Sequence, residues 1–381
     1  MHRTLYNADH EAFRDSLNTF VARTLQPRAE RHAEEHRIDR DCWLEAGRLG
    51  FLGLEVPEEY GGSGAEDYRF NAVFNEVLAR FSAAYASCFG IHADVVAPYL
   101  VELGTEEQKK EWLPRFCAGE VITAIAMTEP SGGSDLANLK TTAVADGSDW
   151  ILNGAKTFIT NGGSADMVVV AARTGPGAGA RGVSLFMVDS TLPGFARGRI
   201  LDKVGQPESD TAELFFSDLR VPAEALLGEV GMGFVSLMQR LPQERIGVAI
   251  GNVANASQIL DETLAYVKER RAFGQAIGSF QHNKFRLAEM YTKVAVTQSF
   301  VDACTDAHTR RELTAEEAAM AKWWSAEIQN EVIDNCVQLW GGYGYMNEYR
   351  VARAWKDARV NKIWAGSNEI MKEIIGRKLG L

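Results

Sequence analysis

Cysteine is scarce in this sequence, and its few copies are scattered. The 381 residues include 5 cysteines, none of which forms a CxxC pair or stands at ligand spacing from a histidine. This distribution argues against a disulfide framework and a zinc site, so a reducing compartment is expected. The five positions are Cys42, Cys88, Cys117, Cys304 and Cys336.

Long apolar runs and an excess of positive charge are also missing. No stretch approaches the ~20 consecutive apolar residues that a membrane helix needs, and the N-terminus has no apolar signal segment. Lysine plus arginine total 40 against 51 for aspartate plus glutamate, which gives a net charge of −11 and a pI near 5.3. General affinity for nucleic acid or anionic membranes is therefore not expected, and an anionic ligand needs a local basic site. We expect a cytoplasmic enzyme.

A metal site has little support in the sequence. His32 and His36 stand four residues apart on a predicted helix, which is a spacing that can bind zinc. That helix is strongly charged and shows no third ligand, so a solvated face is the preferred interpretation. No metal is predicted.

What the chain does contain is enough apolar material for several folded units. Hydrophobic residues make up 46% and charged residues 24% of a chain that exceeds the size of a single core. Residues 1–120 read as an N-terminal α-helical domain, 121–232 as a middle β domain, and 233–381 as a C-terminal α-helical bundle domain. The predicted fold class is therefore α+β in several units, with a small β-barrel or β-sandwich between two helical parts.

Local signals support this division. Capping-box sequences start helices at Thr105–Gln108 and at Thr314–Glu317. Another helix is predicted to begin near Pro242, and its run Ile246–Leu260 has no charged residue, so it is expected to be buried. The predicted strands are Val121–Met127, Trp150–Leu152, Met167–Ala172, Val183–Val188 and Thr211–Phe216.

Glycine-rich segments invite a nucleotide-binding interpretation, but the known patterns are absent. Gly228, Gly231 and Gly233 do not follow a strand in the Rossmann manner, and no P-loop is present. Two other segments, Ala126–Asp135 and Asn153–Gly162, are rich in hydroxyls and backbone donors. Such loops are usually simple turns, yet they also suit the polar edge of a planar cofactor.

Five segments together resemble the ordered signature motifs of the acyl-CoA dehydrogenase family. They are Ala126–Asp135, Asn153–Gly162, Arg270–Gln281, Gln338–Tyr345 and Ala365–Ile370. The likeness covers essentially the whole chain, including the order helix, β and helix. Within the family, Leu241–Arg245 and Asn368–Arg377 most resemble the long-chain type.

The resemblance implies that FAD is the cofactor. Hydroxyls around the ring have a purpose, because reduced flavin gains negative charge that preorganised donors stabilise. Some of the matching residues are implied to reach a neighbouring subunit, which suggests a homotetramer. From the residues alone, Arg270 is a surface cation and Trp340 is packing. The implied cofactor contacts are Met127, Thr128, Ser134, Phe158, Ile159, Thr160, Arg270, Phe273, Gln281, Gln338, Leu339, Trp340, Gly341, Gly342, Ser367, Asn368 and Glu369.

The catalytic base is the point at which this chain departs from many family members. They carry a carboxylate at the position occupied here by Ala365, which cannot accept a proton. Long-chain and isovaleryl-type members instead carry it before the arginine motif, where this chain has Glu244, 26 residues ahead of Arg270. From position alone, Glu244 is ordinary negative charge in a helix first turn. Glu369 is the competing carboxylate, without a base role in the family.

The implied reaction is α,β-dehydrogenation of an acyl-CoA to the trans-2-enoyl-CoA in fatty acid β-oxidation. Glu244 takes the α proton, the β hydrogen leaves as hydride to the flavin, and an electron-transfer flavoprotein accepts the electrons. The thioester oxygen is implied to accept a hydrogen bond from the Ala365 amide. The implied substrate contacts are Ser134, Arg181, Arg245, Ala365 and Gly366.

The acyl group stays open at this stage. A long or bulky chain is the main hypothesis, and a branched, terpenoid or sterol side-chain acyl-CoA is the second, since branched-chain types share the Glu244 position. A flavin monooxygenase on the same fold is a third reading that Glu244 opposes. A binding-only relative is the fourth, and a colourless protein would favour it.

Overall fold

The computed structural model describes residues 3–175 and 182–381. Its N-terminal part is helical, and the capping box predicted at Thr105 is confirmed at the start of α7, where Thr105 and Gln108 satisfy each other's backbone. Short π-helical turns at Val21–Leu25 and Ile91–Val96 interrupt longer helical stretches. The α-helices here are α1 (Ala8–Phe20), α2 (Ala29–Glu35), α3 (Arg40–Arg48), α4 (Arg69–Phe81), α5 (Ala83–Gly90), α6 (Ala97–Leu103) and α7 (Glu106–Cys117).

The expectation of a solvated histidine face on α2 is wrong for His32. This side chain is fully buried, and its Nδ1 is hydrogen-bonded to the Tyr85 hydroxyl at 2.6 Å, because α2 packs that side against α5. Folding also brings Asp39 and Cys42 near it, with potential ligand atoms within 4.8 Å of one another. Nε2 of His32 already contacts the Asp39 carboxylate at 3.1 Å, so the cluster is internally paired.

The middle part is a β-sheet in the order β6-β7-β3-β2-β4-β5-β8, with β1 added in parallel to β4. Three strands of this sheet were not predicted: β2, β6 and the short β8. Strand β6 is mostly exposed, so it lacks the apolar run that marks the buried strands. The strands are β1 (Thr123–Ala126), β2 (Thr142–Asp146), β3 (Asp149–Ile159), β4 (Met167–Arg173), β5 (Val183–Asp189), β6 (Phe195–Ile200), β7 (Ala212–Val221) and β8 (Leu226–Leu227).

The C-terminal part is a bundle of long helices. Its capping box at Thr314 is confirmed, and α10 ends where Gly341 adopts a φ of 61°. The elements are α8 (Gly233–Glu269), the hairpin strands β9 (Arg271–Ala272) and β10 (Gln275–Ala276), α9 (Gln281–Thr309), α10 (Ala315–Trp340), α11 (Arg350–Ala358) and α12 (Asn368–Lys378).

The predicted start of α8 near Pro242 is wrong. The helix begins at Gly233 and continues through the proline, which removes one backbone donor without ending the helix. Glu244 therefore lies about three turns inside the helix rather than in its first turn.

Helix α8 joins the parts of the molecule. As predicted, its apolar run is buried, and Ile246 and Ile250 belong to the core of the helical bundle. One end reaches a different core, in which Leu237 packs with residues of the sheet and of α6 and α7. Any site on α8 is thereby fixed relative to both parts. Among the described residues, no helix is long and apolar enough to cross a membrane.

Helix α3 contacts the end of α7 so closely that position 47 must be glycine. A Cβ atom at Gly47 would overlap the Ala118 carbonyl, whereas a Cβ at Gly376 of α12 would meet nothing within 4 Å. We predict that Gly47→Ala lowers the free energy of unfolding by roughly 1–3 kcal/mol through overpacking. Gly376→Ala is the matched control, and its higher helix propensity should leave stability unchanged or raised by up to about 1 kcal/mol. Denaturant titration measures both, and equal stability of the two variants would contradict the packing argument.

Candidate active site

A cavity of about 230 Å³ lies where α8 meets α4, α5 and the ends of two strands. It brings together residues that are far apart in the sequence, and the candidate base is one of them. The sequence-predicted residues that line it are Met127, Thr128, Phe158, Ile159, Thr160, Glu244 and Ala365.

Glu244 is buried and presents an acidic group to this cavity. The Tyr99 hydroxyl donates to its Oε1 at 3.0 Å. Burial raises the pKa of Glu244 to about 7; the Tyr99 hydrogen bond and the Arg245 charge pull it down, and Asp94 pushes it up. A carboxyl group with a pKa near neutrality is suited to accept and then hold a proton. Tyr99 was not predicted, since nothing in its local sequence distinguishes it from a core tyrosine.

Arg245 follows the base and is also buried. Burial lowers the pKa of its guanidinium, and its Nε has no hydrogen-bond partner among the described residues. A buried donor without a partner is costly, which fits a group that meets a ligand. Its role as a substrate contact stays a prediction.

The turn after Trp364 forms another wall of the cavity. Ala365 and Gly366 both adopt positive φ, 51° and 85°, so the backbone there is held in the left-handed region. Lys322, fully buried on α10, donates through Nζ to the Gly366 carbonyl at 2.7 Å and to Asn368 Oδ1 at 3.2 Å. Burial lowers the pKa of Lys322 to about 8. This lysine, which the sequence analysis missed, fixes the turn that carries Ala365.

A buried ion pair links the two segments predicted to contact the flavin. Lys156 Nζ lies 2.9 Å from Glu129 Oε1 and donates to the Met127 carbonyl at 3.1 Å. The same carboxylate accepts from the backbone amides of Lys140 and Thr141. Burial acts to raise the pKa of Glu129, but the Lys140 amide and Lys156 lower it to about 2. Because both charges are buried and paired, the two segments are fixed relative to each other.

The cavity fits the ring of a planar cofactor. Met127 and Ile159 supply apolar wall, and Thr128 and Thr160 supply hydroxyls beside it. Phe158 has a φ of 60° and a side chain that is 67% exposed, so it stands out from β3 at the edge of the site.

The other predicted cofactor contacts lie outside this cavity. Phe273, in the β9–β10 hairpin, is 96% exposed, and Trp340 stacks on Tyr266 at 4.1 Å between ring centroids. Ser134 is exposed, and Arg181 lies outside the described residues. Their roles stay predictions. The hairpin group is Arg270, Phe273 and Gln281; the group at the end of α10 is Gln338, Leu339, Trp340, Gly341 and Gly342; Ser367, Asn368 and Glu369 start α12.

Known domain families match nearly the whole chain. The acyl-CoA dehydrogenase N-terminal domain matches residues 7–120, its middle domain residues 124–219 and its C-terminal domain residues 231–380. These matches confirm the predicted fold class.

Similar proteins support the same assignment over full length. The mitochondrial long-chain specific acyl-CoA dehydrogenase of Sus scrofa is 45% identical over 99% of this chain and 88% of its own length. The mitochondrial isovaleryl-CoA dehydrogenase of Pongo abelii is 36% identical over 97% of this chain and 88% of its own. The crystal structure of an acyl-CoA dehydrogenase from Geobacillus kaustophilus has a TM-score of 0.97 and 47% identity, covering 99% of both chains.

Fold, cavity and matches together define an FAD-dependent oxidoreductase. The chain belongs to the acyl-CoA dehydrogenase family.

The Tyr99 hydrogen bond generates a prediction about pH. Removing it with Tyr99→Phe takes away a contact that favours the charged carboxylate, so the pKa of Glu244 should rise further above its usual range. If Glu244 acts as a base when deprotonated, flavin reduction by an acyl-CoA should rise through about pH 7 in the native enzyme and at a higher pH in the variant. Rapid-mixing absorbance across pH measures this.

Tyr60→Phe is the matched control for that experiment. Its hydroxyl donates to Glu106 at 2.6 Å, which is also a tyrosine–glutamate bond but lies away from the cavity. The control should keep the native profile, and a Tyr99→Phe profile identical to it would count against the assigned environment of Glu244.

Proposed function

We propose that this enzyme dehydrogenates an acyl-CoA thioester to the trans-2-enoyl-CoA in fatty acid β-oxidation, with Glu244 as the base. The observation that carries the proposal is the buried carboxyl group with a pKa of about 7 in the cavity that the flavin segments also line. Ala365, at the position where many relatives carry the carboxylate, lines the same cavity. The other carboxyl group in the lining, Asp94, already accepts hydrogen bonds from side chains of Tyr68, Asn71, Asn75 and Gln243.

Each protein group has a defined task in this proposal. Glu244 accepts the proton from the α carbon, and burial keeps competing water away from it. The turn at Ala365, fixed by Lys322, presents backbone to the thioester oxygen. FAD held by Met127, Thr128 and the segment from Phe158 to Thr160 would supply the acceptor for the hydride lost from the β carbon. An electron-transfer flavoprotein is the proposed electron acceptor.

The shape of the cavity favours a long or bulky acyl group. Its lining follows α8 from Glu244 through Gly251 to Asn255, which is a length of about 16 Å along the helix axis. Gly251 leaves this path open, since a Cβ there would contact only Ala79, at 3.5 Å. The long-chain relative supports this choice, and the isovaleryl relative keeps branched, terpenoid or sterol side chains as the alternative. The buried carboxyl group of Glu244 argues against the other alternative, a flavin monooxygenase on the same fold.

Replacing the base tests the proposed chemistry. Glu244→Gln keeps size and hydrogen bonding but cannot accept the proton, so flavin reduction should fall by ~10²–10⁴ or more while FAD stays bound. Adding Ala365→Glu to this variant should restore part of the rate, because both positions line one cavity. A wild-type single-turnover rate for Glu244→Gln would show that the base is elsewhere, with Glu369 next to be examined.

Filling the path beside α8 tests the length of the acyl group. We call the part of the cavity beside Gly251 and Asn255 the tail section. Gly251→Leu should cut kcat/KM for long acyl-CoA substrates by more than tenfold and leave that for short ones unchanged, since its side chain would occupy the tail section. Gly251→Ala is the matched control, because its added carbon makes only an ordinary contact with Ala79. A panel of acyl-CoA substrates of graded length and branching, assayed anaerobically with an artificial acceptor, measures both. An unchanged length profile for Gly251→Leu would place the tail elsewhere.

We further propose a homotetramer in which the hairpin and the end of α10 complete a neighbour's cofactor site. The exposure of Phe273 and the distance of these segments from the cavity of their own chain support it. Light scattering should return four chains with FAD bound to each. A monomer with a full FAD content would contradict this.

A further inference from the structure

The tail section of the cavity contains a chain of hydrogen-bonded side-chain amides. Asn361 Nδ2 donates to Gln329 Oε1 at 2.7 Å, and Gln329 Nε2 donates to Asn255 Oδ1 at 3.0 Å. Asn255 Nδ2 then donates to the Ala79 carbonyl at 3.1 Å. The three amide side chains are almost completely buried, and all line the cavity. Asn252, one turn before Asn255, is a fourth buried amide in the lining.

These amides keep hydrogen-bonding capacity that the protein does not use. Asn252 Nδ2 donates to the Ser325 hydroxyl at 3.1 Å, but within the described ranges no donor reaches its Oδ1 or that of Asn361. Each amide nitrogen in the group also makes only one hydrogen bond to a described residue. A plain alkyl chain would leave these groups unpaired in a dry site, which is unfavourable.

Their position matches the far part of a bound acyl chain. Asn252 and Asn255 lie eight and eleven residues after Glu244 on α8, or about 12 and 16 Å along the axis. In ligand sites that are mostly apolar, a few placed polar groups decide which ligand is accepted. The amides are therefore placed to select at the tail, away from the thioester.

We propose that the preferred substrate is an acyl-CoA whose tail carries a hydroxyl group near its far end. This rests on the dehydrogenase function proposed above. A hydroxyl both donates and accepts, so it pairs with the free oxygens and the free N–H groups alike. A carboxylate at the tail does not fit, because the described lining has no lysine or arginine to pair with it.

The test compares one saturated straight-chain acyl-CoA with the same chain bearing a terminal hydroxyl. The native enzyme should show a kcat/KM ratio of about tenfold or more in favour of the hydroxylated chain. Asn252→Leu and Asn255→Leu should each bring the ratio to about one or reverse it. Asn252→Leu is expected to fold normally. The Ser325 hydroxyl loses the Asn252 amide as a partner but still donates to the Lys322 carbonyl at 3.1 Å. FAD content and thermal midpoint are measured for every variant.

Asn330→Leu is the matched control. Asn330 is the residue after Gln329 on α10, and its amide donates to the Ala326 and Ala358 carbonyls at 2.8 and 3.0 Å outside the cavity lining. Its ratio should equal that of the native enzyme. A native preference for the plain chain, or a ratio that the Asn252 and Asn255 variants leave unchanged, overturns the inference. If neither thioester reduces the bound FAD, the proposed dehydrogenase function fails instead.

Discussion

The structure depends on the burial of the Glu244 carboxyl group on α8, which costs desolvation free energy. Taking this group out of water raises its pKa to about 7, and the Tyr99 hydrogen bond and the Arg245 charge limit the rise. A helix that carries such a group must be held by strong packing, and the apolar face around Ile246 and Ile250 supplies it. Core and base are therefore two sides of the same helix, and neither position can shift without the other.

Two further buried charges fix the surfaces that face this base. Lys322 is fully buried and satisfied by the Gly366 carbonyl and Asn368, so the strained turn at Ala365 has one conformation. Lys156 is buried against Glu129, which links the two segments that are predicted to contact the flavin. Buried ion pairs add little net stability, but breaking one is expensive. The Lys156–Glu129 ion pair and the hydrogen bonds of Lys322 therefore fix the positions of two parts of the cavity wall.

The tail section follows a different rule. There the described lining has neutral amides such as Asn255 and small residues such as Gly251, whereas the buried Asp94 lies beside Gln243 and Gly247 at the Glu244 end. In the proposed function, proton transfer takes place at one end of the cavity and the acyl tail is selected at the other. Under this proposal, changes at Gly251 or Asn252 would alter the accepted acyl group without touching the proposed base.

The sequence by itself determined the family, the order of helical and β parts, the capping boxes at Thr105 and Thr314, and Glu244 as the candidate base. These features are local in the chain or carried by ordered motifs. It misplaced the start of α8 at Pro242, because a proline suits a first turn and only tertiary packing carries the helix through it. It also assigned His32 to a solvated face. The sequence did not predict the roles of Tyr99, Lys322 or the buried amides such as Asn252 and Asn361. Each of these side chains contacts a partner that is distant in the sequence. Their roles follow from burial and from which helices meet, and those are properties that the tertiary structure alone decides.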